Sequence, residues 1–484
     1  MRDPVKGFVK VLKNTGWLAS AQIIARVFSA IFIILLANHL LPTSFGIFNS
    51  VFAISYISTV VVDWGLDEMT IREVSIEPKK APKYLGDILF LRVLLGSITI
   101  LIISIIYYVI AGNIGINIPF YILLIAVLIL TFEKLSNAFS AQFQALERME
   151  LQASVTLIWK IVYLSLGILA IYLGYELLKI LLFLLASYVF QLFLSIVIYR
   201  IGLPISKISS PDPKRWKSLL KTSSPFALFV AVSVIYGHVI IVLLAFFSGS
   251  YATGLYSASW KIIIFLGVVP YSFGRAIYPV FSRLYSSGRK ILKRAYLESL
   301  RFLLILSLPL TLGLYVIAGD ILRLIYTVEY QQTIEVFRTI IWMIPFLFMN
   351  GSLKMVLWSS ERTFDSSRNL MVASVVLIIS GIILIPVYGA LGAAMAIVLS
   401  EIFHFILNYH IVSEQLLPAP VSYLWKPYIS SMFMALLLYI PTYFDLNISA
   451  LWILPIGIVS YFTVLYLLKG IVRDDIQMIA EILR

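Results

Sequence analysis

Cysteine is absent from the 484 residues, which excludes disulfides, thiolate metal sites and cysteine nucleophiles. Charge is scarce as well. Asp, Glu, Lys and Arg together make up 13% of the chain, against about 25% in an average globular protein, so the chain cannot cover itself with a hydrated surface. No glycine-rich phosphate loop is present, and ATP hydrolysis is not expected. Strand-like alternation over successive segments is also missing, which argues against a barrel. What the chain does have is apolar: 61% of it is hydrophobic and the mean hydropathy is +0.98. Most side chains must therefore face lipid or one another inside a membrane.

Fourteen apolar segments, each about 19–30 residues, are long enough to cross a hydrocarbon core of about 30 Å. They run roughly over 15–40, 45–66, 85–110, 118–143, 150–173, 177–200, 222–247, 252–281, 296–318, 336–359, 367–387, 390–412, 423–442 and 449–469, with ends good to about four residues. The first carries Arg2, Lys6, Lys10 and Lys13 ahead of it without a cleavage motif, and reads as a retained helix. The expected class is an all-α membrane protein.

The excess of 37 Lys and Arg over 24 Asp and Glu gives a net charge of +13. Its placement matters more than its size. With the N-terminus inside, Lys79, Lys80, Lys83, then Lys207, Lys214, Arg215, Lys217, Lys221, then Arg289, Lys290, Lys293 and Arg294 all fall on the inner side. About 27 basic residues lie there and about 3 (Lys179, Arg323, Arg338) outside, which predicts a multi-pass plasma-membrane protein with both termini cytoplasmic. The charge is then a topology signal, and no nucleic-acid partner is expected.

The longest inner connection, from Arg200 to Lys221, is rich in Pro, Ser and Lys and divides the chain. Leu41-Pro-Thr-Ser-Phe-Gly-Ile-Phe48 joins spans one and two, and Gly249-Ser-Tyr-Ala-Thr-Gly-Leu-Tyr256 joins seven and eight, with Gly46 and Gly254 lying 208 residues apart. Gly174 and Gly389, in Tyr172-Leu-Gly and Val387-Tyr-Gly, lie 215 apart at the fifth–sixth and eleventh–twelfth junctions. Two matches at nearly one offset point to a parallel duplication, a common plan for transporters whose halves rock about a central site. The expected domains are 1–210 (spans one to six), 211–415 (seven to twelve), and 416–484, holding the last two spans and an amphipathic surface helix from Arg473 to Arg484.

A charge at mid-bilayer costs about 2.5–3.5 kcal/mol on the lenient insertion scale and needs a partner or a wet cavity. Arg26, Lys160 and Lys261 fall near the midplane of their spans; Arg92 and Lys354 are shallower, and Arg275 is near the inner boundary. Lys134 sits beside Glu133 and reads as an internal pair, and the other acids are Asp63 and Glu401. Internal ion pairs and snorkelling explain part of this set. Seven bases against three acids nevertheless leave about four cations over, as a cavity for an anionic phosphate or pyrophosphate head group requires. Arg26, Arg92, Lys160, Lys261, Arg275 and Lys354 are the candidate substrate-binding residues. Asp63, Glu133, His238 and Glu401 are candidate coupling or ion-pair partners. His238 and His404, each alone on an apolar helix, read equally as buried hydrogen-bonding residues. No catalytic residue, metal or cofactor is expected, because the outer segments hold neither clustered carboxylates nor metal-ligand spacing.

Asn14-Thr-Gly-Trp17, Ala37-Asn-His-Leu-Leu-Pro-Thr-Ser-Phe-Gly-Ile-Phe48, Asp63-Trp-Gly-Leu66 and Ile71-Arg-Glu-Val74 together resemble the opening of the Wzx-like polysaccharide/oligosaccharide flippases. These belong to the multidrug/oligosaccharidyl-lipid/polysaccharide exporter superfamily. Gly254-Leu-Tyr-Ser-Ala-Ser-Trp-Lys261, Pro270 to Arg275, Pro279 and Tyr388-Gly-Ala-Leu-Gly-Ala-Ala394 fit the same pattern. The resemblance implies about 14 transmembrane helices in two six-helix lobes around a V-shaped central cavity, plus two C-terminal helices. It also implies alternating-access transfer of a polyprenyl-(pyro)phosphate-linked oligosaccharide from the inner to the outer leaflet, with membrane lipids as partners. Related lipid-linked precursor flippases carry cavity arginines on span one, the place of Arg26. Where many relatives have an acid in the seventh span, this chain has Tyr236-Gly-His238, so the drive is open between a coupling ion (Na+ or H+) and the membrane potential. The rivals are a multidrug and toxin exporter of the same superfamily, which prefers an acidic cavity, and a membrane-embedded glycan polymerase or ligase, which usually has a large outer loop.

Overall fold

The computed structural model describes the backbone of residues 4–114, 118–203, 208–416, 422–444 and 450–470. Side chains are described for 28–109, 118–203, 208–286, 288, 291–414, 425–440, 444 and 452–470. The described residues are helical throughout, without strands. In a hydrocarbon medium every backbone N–H and C=O needs an internal partner, and the helix supplies all of them locally. Serine and threonine hydroxyls add to this economy. Ser50, Ser55 and Thr70 each donate to the carbonyl four residues back, at 2.8, 2.6 and 2.6 Å, and so stay satisfied without water.

Ten helical stretches among the described residues are long and apolar enough to cross a membrane, and Trp452–Leu467 is a shorter apolar helix. Two of the ten, Phe28–Ile76 and Pro213–Ser286, are long enough to hold two predicted spans each. The protein is therefore a helical, multi-pass membrane protein. Helix α1 (Pro4–Asp63) breaks at Leu41, and α7 (Pro213–Leu266) breaks at Gly249. These are the spans-one/two and seven/eight junctions.

Contacts divide the chain into two compact units, Met1–Gly254 and Leu255–Arg484. In the first, α1 packs on α3 (Ala81–Ile114), α4 (Phe120–Ala145) and α5 (Met149–Tyr172), while α6 (Leu177–Gly202) packs on α4 and α5. Phe139, Phe143, Tyr199, Leu85 and Ile88 form one core, each at 1% exposure or less. Predicted span two, read as reaching about 66, ends with α1 at Asp63, inside the stated margin. The chain turns at Trp64 and Gly65, which have φ of 45° and 68°, and α2 (Leu66–Ile76) follows as a separate short helix. Two contacts bind the first arm of α7 to this turn: Trp64 Nε1 donates to Leu220 O at 3.2 Å, and Gly65 lies against the Phe226–Ala227 backbone. The Pro-rich connection is tied down as well. Asp87, 1% exposed, accepts from Asp212 N at 2.7 Å and pairs with Arg215 at 3.1 Å.

In the second unit α8 (Val268–Ser287) and α9 (Arg289–Val316) pack on α12 (Ile344–Ser359) around Phe281, Leu292, Tyr296 and Leu353. The stretch around the end of predicted span nine and the start of span ten contains two short helices, α10 (Ala318–Ile325) and α11 (Thr333–Ile340). Helices α13 (Thr363–Tyr388) and α14 (Ala390–Leu416) form a hairpin closed at Gly389, while α15 (Ser422–Tyr443) packs on both α9 and α16 (Ala450–Leu467). The expected surface helix from Arg473 to Arg484 lies outside the described residues.

Candidate functional site

Four charges of the first unit meet at the break after α1. Arg92, on α3, is 0% exposed. Its Nη2 contacts Asp63 Oδ1 at 3.0 Å and Asp67 Oδ1 at 2.7 Å, and its Nη1 donates to the carbonyl of Lys134. Lys134 Nζ in turn pairs with Asp63 Oδ2 at 2.6 Å. Two acids and two bases thus make an electroneutral quartet drawn from α1, α2, α3 and α4. Such a set holds in a low dielectric because each charge is directly partnered. Arg92 is consequently engaged inside the protein, and Lys134 forms its ion pair with Asp63 and not with its neighbour Glu133.

Glu133 lies within electrostatic reach of Lys134, of Lys160 on α5, and of Tyr56, Tyr163 and Tyr188. Its Oε2 is buried without a hydrogen-bond partner. Lys160 is 8% exposed, with its ammonium 4.7 Å from the Trp159 ring centre and 4.3 Å from that of Tyr163, in cation–π range. Tyr56 also stacks on His238, ring centres 4.5 Å apart and planes 10° apart. Span seven therefore offers an aromatic face where an acid was noted as missing. Glu68, on α2, lies within electrostatic reach of Asp63, Asp67 and Lys134.

Counting Asp67 and Glu68 changes the charge balance. Around Arg92, Lys134 and Lys160 stand Asp63, Asp67, Glu68 and Glu133, so the first unit's described membrane charges hold no cation surplus. Arg26, on the same side of the sequence, lies outside the residues whose side chains are described.

In the second unit the balance differs. Lys261, on the second arm of α7, is half-buried and has no ion pair among the described residues. Lys354, on α12, lies with its ammonium 4.6 Å from the Trp358 ring centre. Arg275, on α8, is exposed and leans on Tyr271, 3.4 Å from its hydroxyl. Glu401, 3% exposed, belongs to a buried relay that carries no extra charge. Asn369 Nδ2 donates to Asn408 Oδ1 at 2.9 Å, Asn408 Nδ2 to Asn350 Oδ1 at 3.1 Å, and Asn350 Nδ2 to Glu401 Oε1 at 2.9 Å. His404 Nδ1 lies 3.9 Å from the same carboxylate oxygen. Among the described residues no cluster of His, Asp and Glu has the grouping of a metal site.

Asp67, Glu68 and the three asparagines are the members that sequence reasoning passed over. Asp67 carried a usable signal, four residues after Asp63. The asparagines carried none, because an uncharged amide on an apolar helix does not stand out by charge.

Known proteins share this architecture. Residues 11–285 match the family model described as polysaccharide biosynthesis protein, and residues 225–387 match the MatE model. The probable flippase AglR of Haloferax volcanii is 26% identical over 208 residues, 41% of this chain and 42% of that protein. The chain thus matches about two fifths of this curated relative's length. Among solved structures, a lipid II flippase MurJ in an inward closed conformation superposes with a TM-score of 0.76 at 17% identity, over 95% of this chain and 99% of that one. An inward-facing multidrug resistance MATE family transporter of the MOP superfamily gives 0.64 at 16% identity, over 81% and 94%. Both share the fold. With more than half its length matched by the first model, the chain belongs to the polysaccharide biosynthesis protein family.

Proposed function

We infer that this protein is a flippase, not an enzyme, that carries a polyprenyl-(pyro)phosphate-linked oligosaccharide from the inner to the outer leaflet of the plasma membrane by alternating access. Its duplicated halves, 1–210 and 211–415, rock about the site while the lipid tail stays in the bilayer. The observation that carries the reading is Lys261: a half-buried cation in a membrane-spanning segment with no acidic partner among the described residues. An ammonium left so is costly unless something anionic joins it, and a phosphate does so with charge-assisted hydrogen bonds. Lys354 and Arg26 extend the same set. Lys160 serves the Glu133 side of the first unit, where proton exchange on the carboxylate couples to transport, or the membrane potential acts on the anionic cargo at about 2.3 kcal/mol per charge per 100 mV. Support comes also from the family match and from AglR, itself named a probable flippase.

Liposomes loaded with the purified protein and a lipid-linked oligosaccharide test it, scored by transfer between leaflets. Replacing Lys261 with Ala removes one charge-assisted contact, worth about 1.5–3 kcal/mol, so transfer falls about tenfold or more with the protein level unchanged. Wild-type transfer by Lys261→Ala and by the Arg26→Ala, Lys261→Ala pair removes the site. The MatE match over 225–387 favours a second reading, a multidrug exporter. Gene-dependent drug resistance with surface glycans intact selects it.

A further inference from the structure

The corner of the second unit between α10 and α11, closed by a short helical turn at Val328–Tyr330, encloses a cavity of about 330 Å³. Two sets of residues line it, each stepping by four along the chain. Leu322, Tyr326, Tyr330 and Ile334 are buried and make its floor, with the two tyrosine rings 5.0 Å apart between centres. Arg323, Thr327 and Gln331 are exposed and make its rim.

The corner is held in place without a ligand. Tyr326 N donates to Leu322 O at 2.8 Å and Tyr330 N to Thr327 O at 3.0 Å. The Tyr326 hydroxyl donates to Ala258 O at 3.1 Å and the Ser259 hydroxyl to Thr333 O at 3.4 Å, which ties the corner to the second arm of α7. A site already ordered loses little freedom on binding.

The rim groups differ in kind. Arg323 only donates hydrogen bonds, whereas Gln331 both donates and accepts. The Thr327 hydroxyl donates to the Glu329 carboxylate, so its oxygen is left to accept. Among the described residues no side-chain hydrogen bond or ion pair engages Arg323 or Gln331. An apolar floor under a rim of mixed donors and acceptors matches a pyranose ring, which has apolar C–H faces and an edge of hydroxyls that each donate and accept. A phosphate is better met by more than one cation, an organic cation is repelled by Arg323, and a lipid chain leaves the rim without partners. The volume lies at the small end of the roughly 300–1,000 Å³ that small-molecule sites occupy, which suits one ring and not a chain.

We propose that this corner is a sugar-binding site, holding one pyranose ring over the Tyr326 and Tyr330 floor through Arg323, Thr327 and Gln331. The charge-derived orientation puts it on the outer face, so it meets the glycan on the side of release, a role that rests on the flippase reading.

The test is saturation-transfer NMR on the full-length protein in a detergent without a sugar head group. The probes are the methyl glycosides of glucose, galactose, mannose, N-acetylglucosamine and glucuronic acid. At least one receives saturation, and Arg323→Ala with Gln331→Ala lowers its binding about tenfold. Val328→Trp, at an exposed lining position, fills the cavity and abolishes the signal. Arg338→Ala, which breaks a pair with Glu335 away from the lining, leaves it unchanged. Absence of saturation in the wild-type protein overturns the site, as does equal binding by wild type and a folded rim or Val328→Trp variant. Tetraphenylphosphonium held in place of sugar overturns it too. Sugar binding in a protein that never moves glycan between leaflets sinks the flippase reading and leaves the site standing; transfer without sugar binding does the reverse.

Discussion

At the scale of single residues, burial sorts cations of equal charge into different occupations. Arg92 and Lys261 look alike in the sequence, as lone bases on apolar helices. Arg92 is closed in by Asp63 and Asp67, whereas Lys261 has no such neighbour among the described residues. Truncating one member of a buried ion set costs about 3–5 kcal/mol, because the partner's charge is left uncompensated. Arg92→Ala is therefore expected to destabilise the protein by that amount, and Arg92→Lys by less, read as melting of the purified protein in detergent by intrinsic fluorescence. Wild-type melting of Arg92→Ala would mean that the quartet does not hold the first unit together. That Asp63, Arg92, Lys134 and Lys160 stand within or at the ends of apolar segments was legible from the sequence alone. Their partners were not, because neighbours on a helix point in different directions. Lys134 consequently pairs with Asp63 and not with its neighbour Glu133.

At the scale of elements, the apolar runs located the helices, and small residues set how closely they pack. Gly167 of α5 faces Phe32 of α1. An added Cβ would lie 2.3 Å from the ring, and that ring is fully buried and edge-on to Tyr163 at 5.0 Å. Overpacking of a filled site costs about 1–3 kcal/mol, so Gly167→Ala lowers the melting temperature in detergent, while Gly237→Ala, in open space, leaves it unchanged. Equal melting of the two variants would contradict the close α1–α5 contact. Span boundaries were readable, to within a few residues, wherever apolar composition stopped. Span two, read as ending near 66, stops at Asp63, where the backbone turns at Trp64 and Gly65 and begins α2. The short helices α10 and α11 were not legible, because eight residues each are too few for a periodic signal.

At the scale of the whole molecule, the proposed topology has a simple readout. Single cysteines introduced at Thr43 or Glu329 react with a membrane-impermeant maleimide added to intact cells, while those at Lys80 or Glu361 react only after permeabilisation. The opposite pattern would invert the chain and the direction of transport with it. The all-helical class was plain from composition, since nothing but self-satisfied backbone suits so apolar a chain. The balance of charge was harder to read, because it depends on which acids fold back to meet which bases, and Asp67 and Glu68 lie just beyond an apparent span end. The quartet also bears on how the protein is made. Asp63 and Asp67 leave the ribosome before either Arg92 or Lys134 has been synthesised, so the second span reaches the insertion machinery with its acids uncompensated. The quartet can close only once the fourth span has arrived, so the first four spans reach their final packing together.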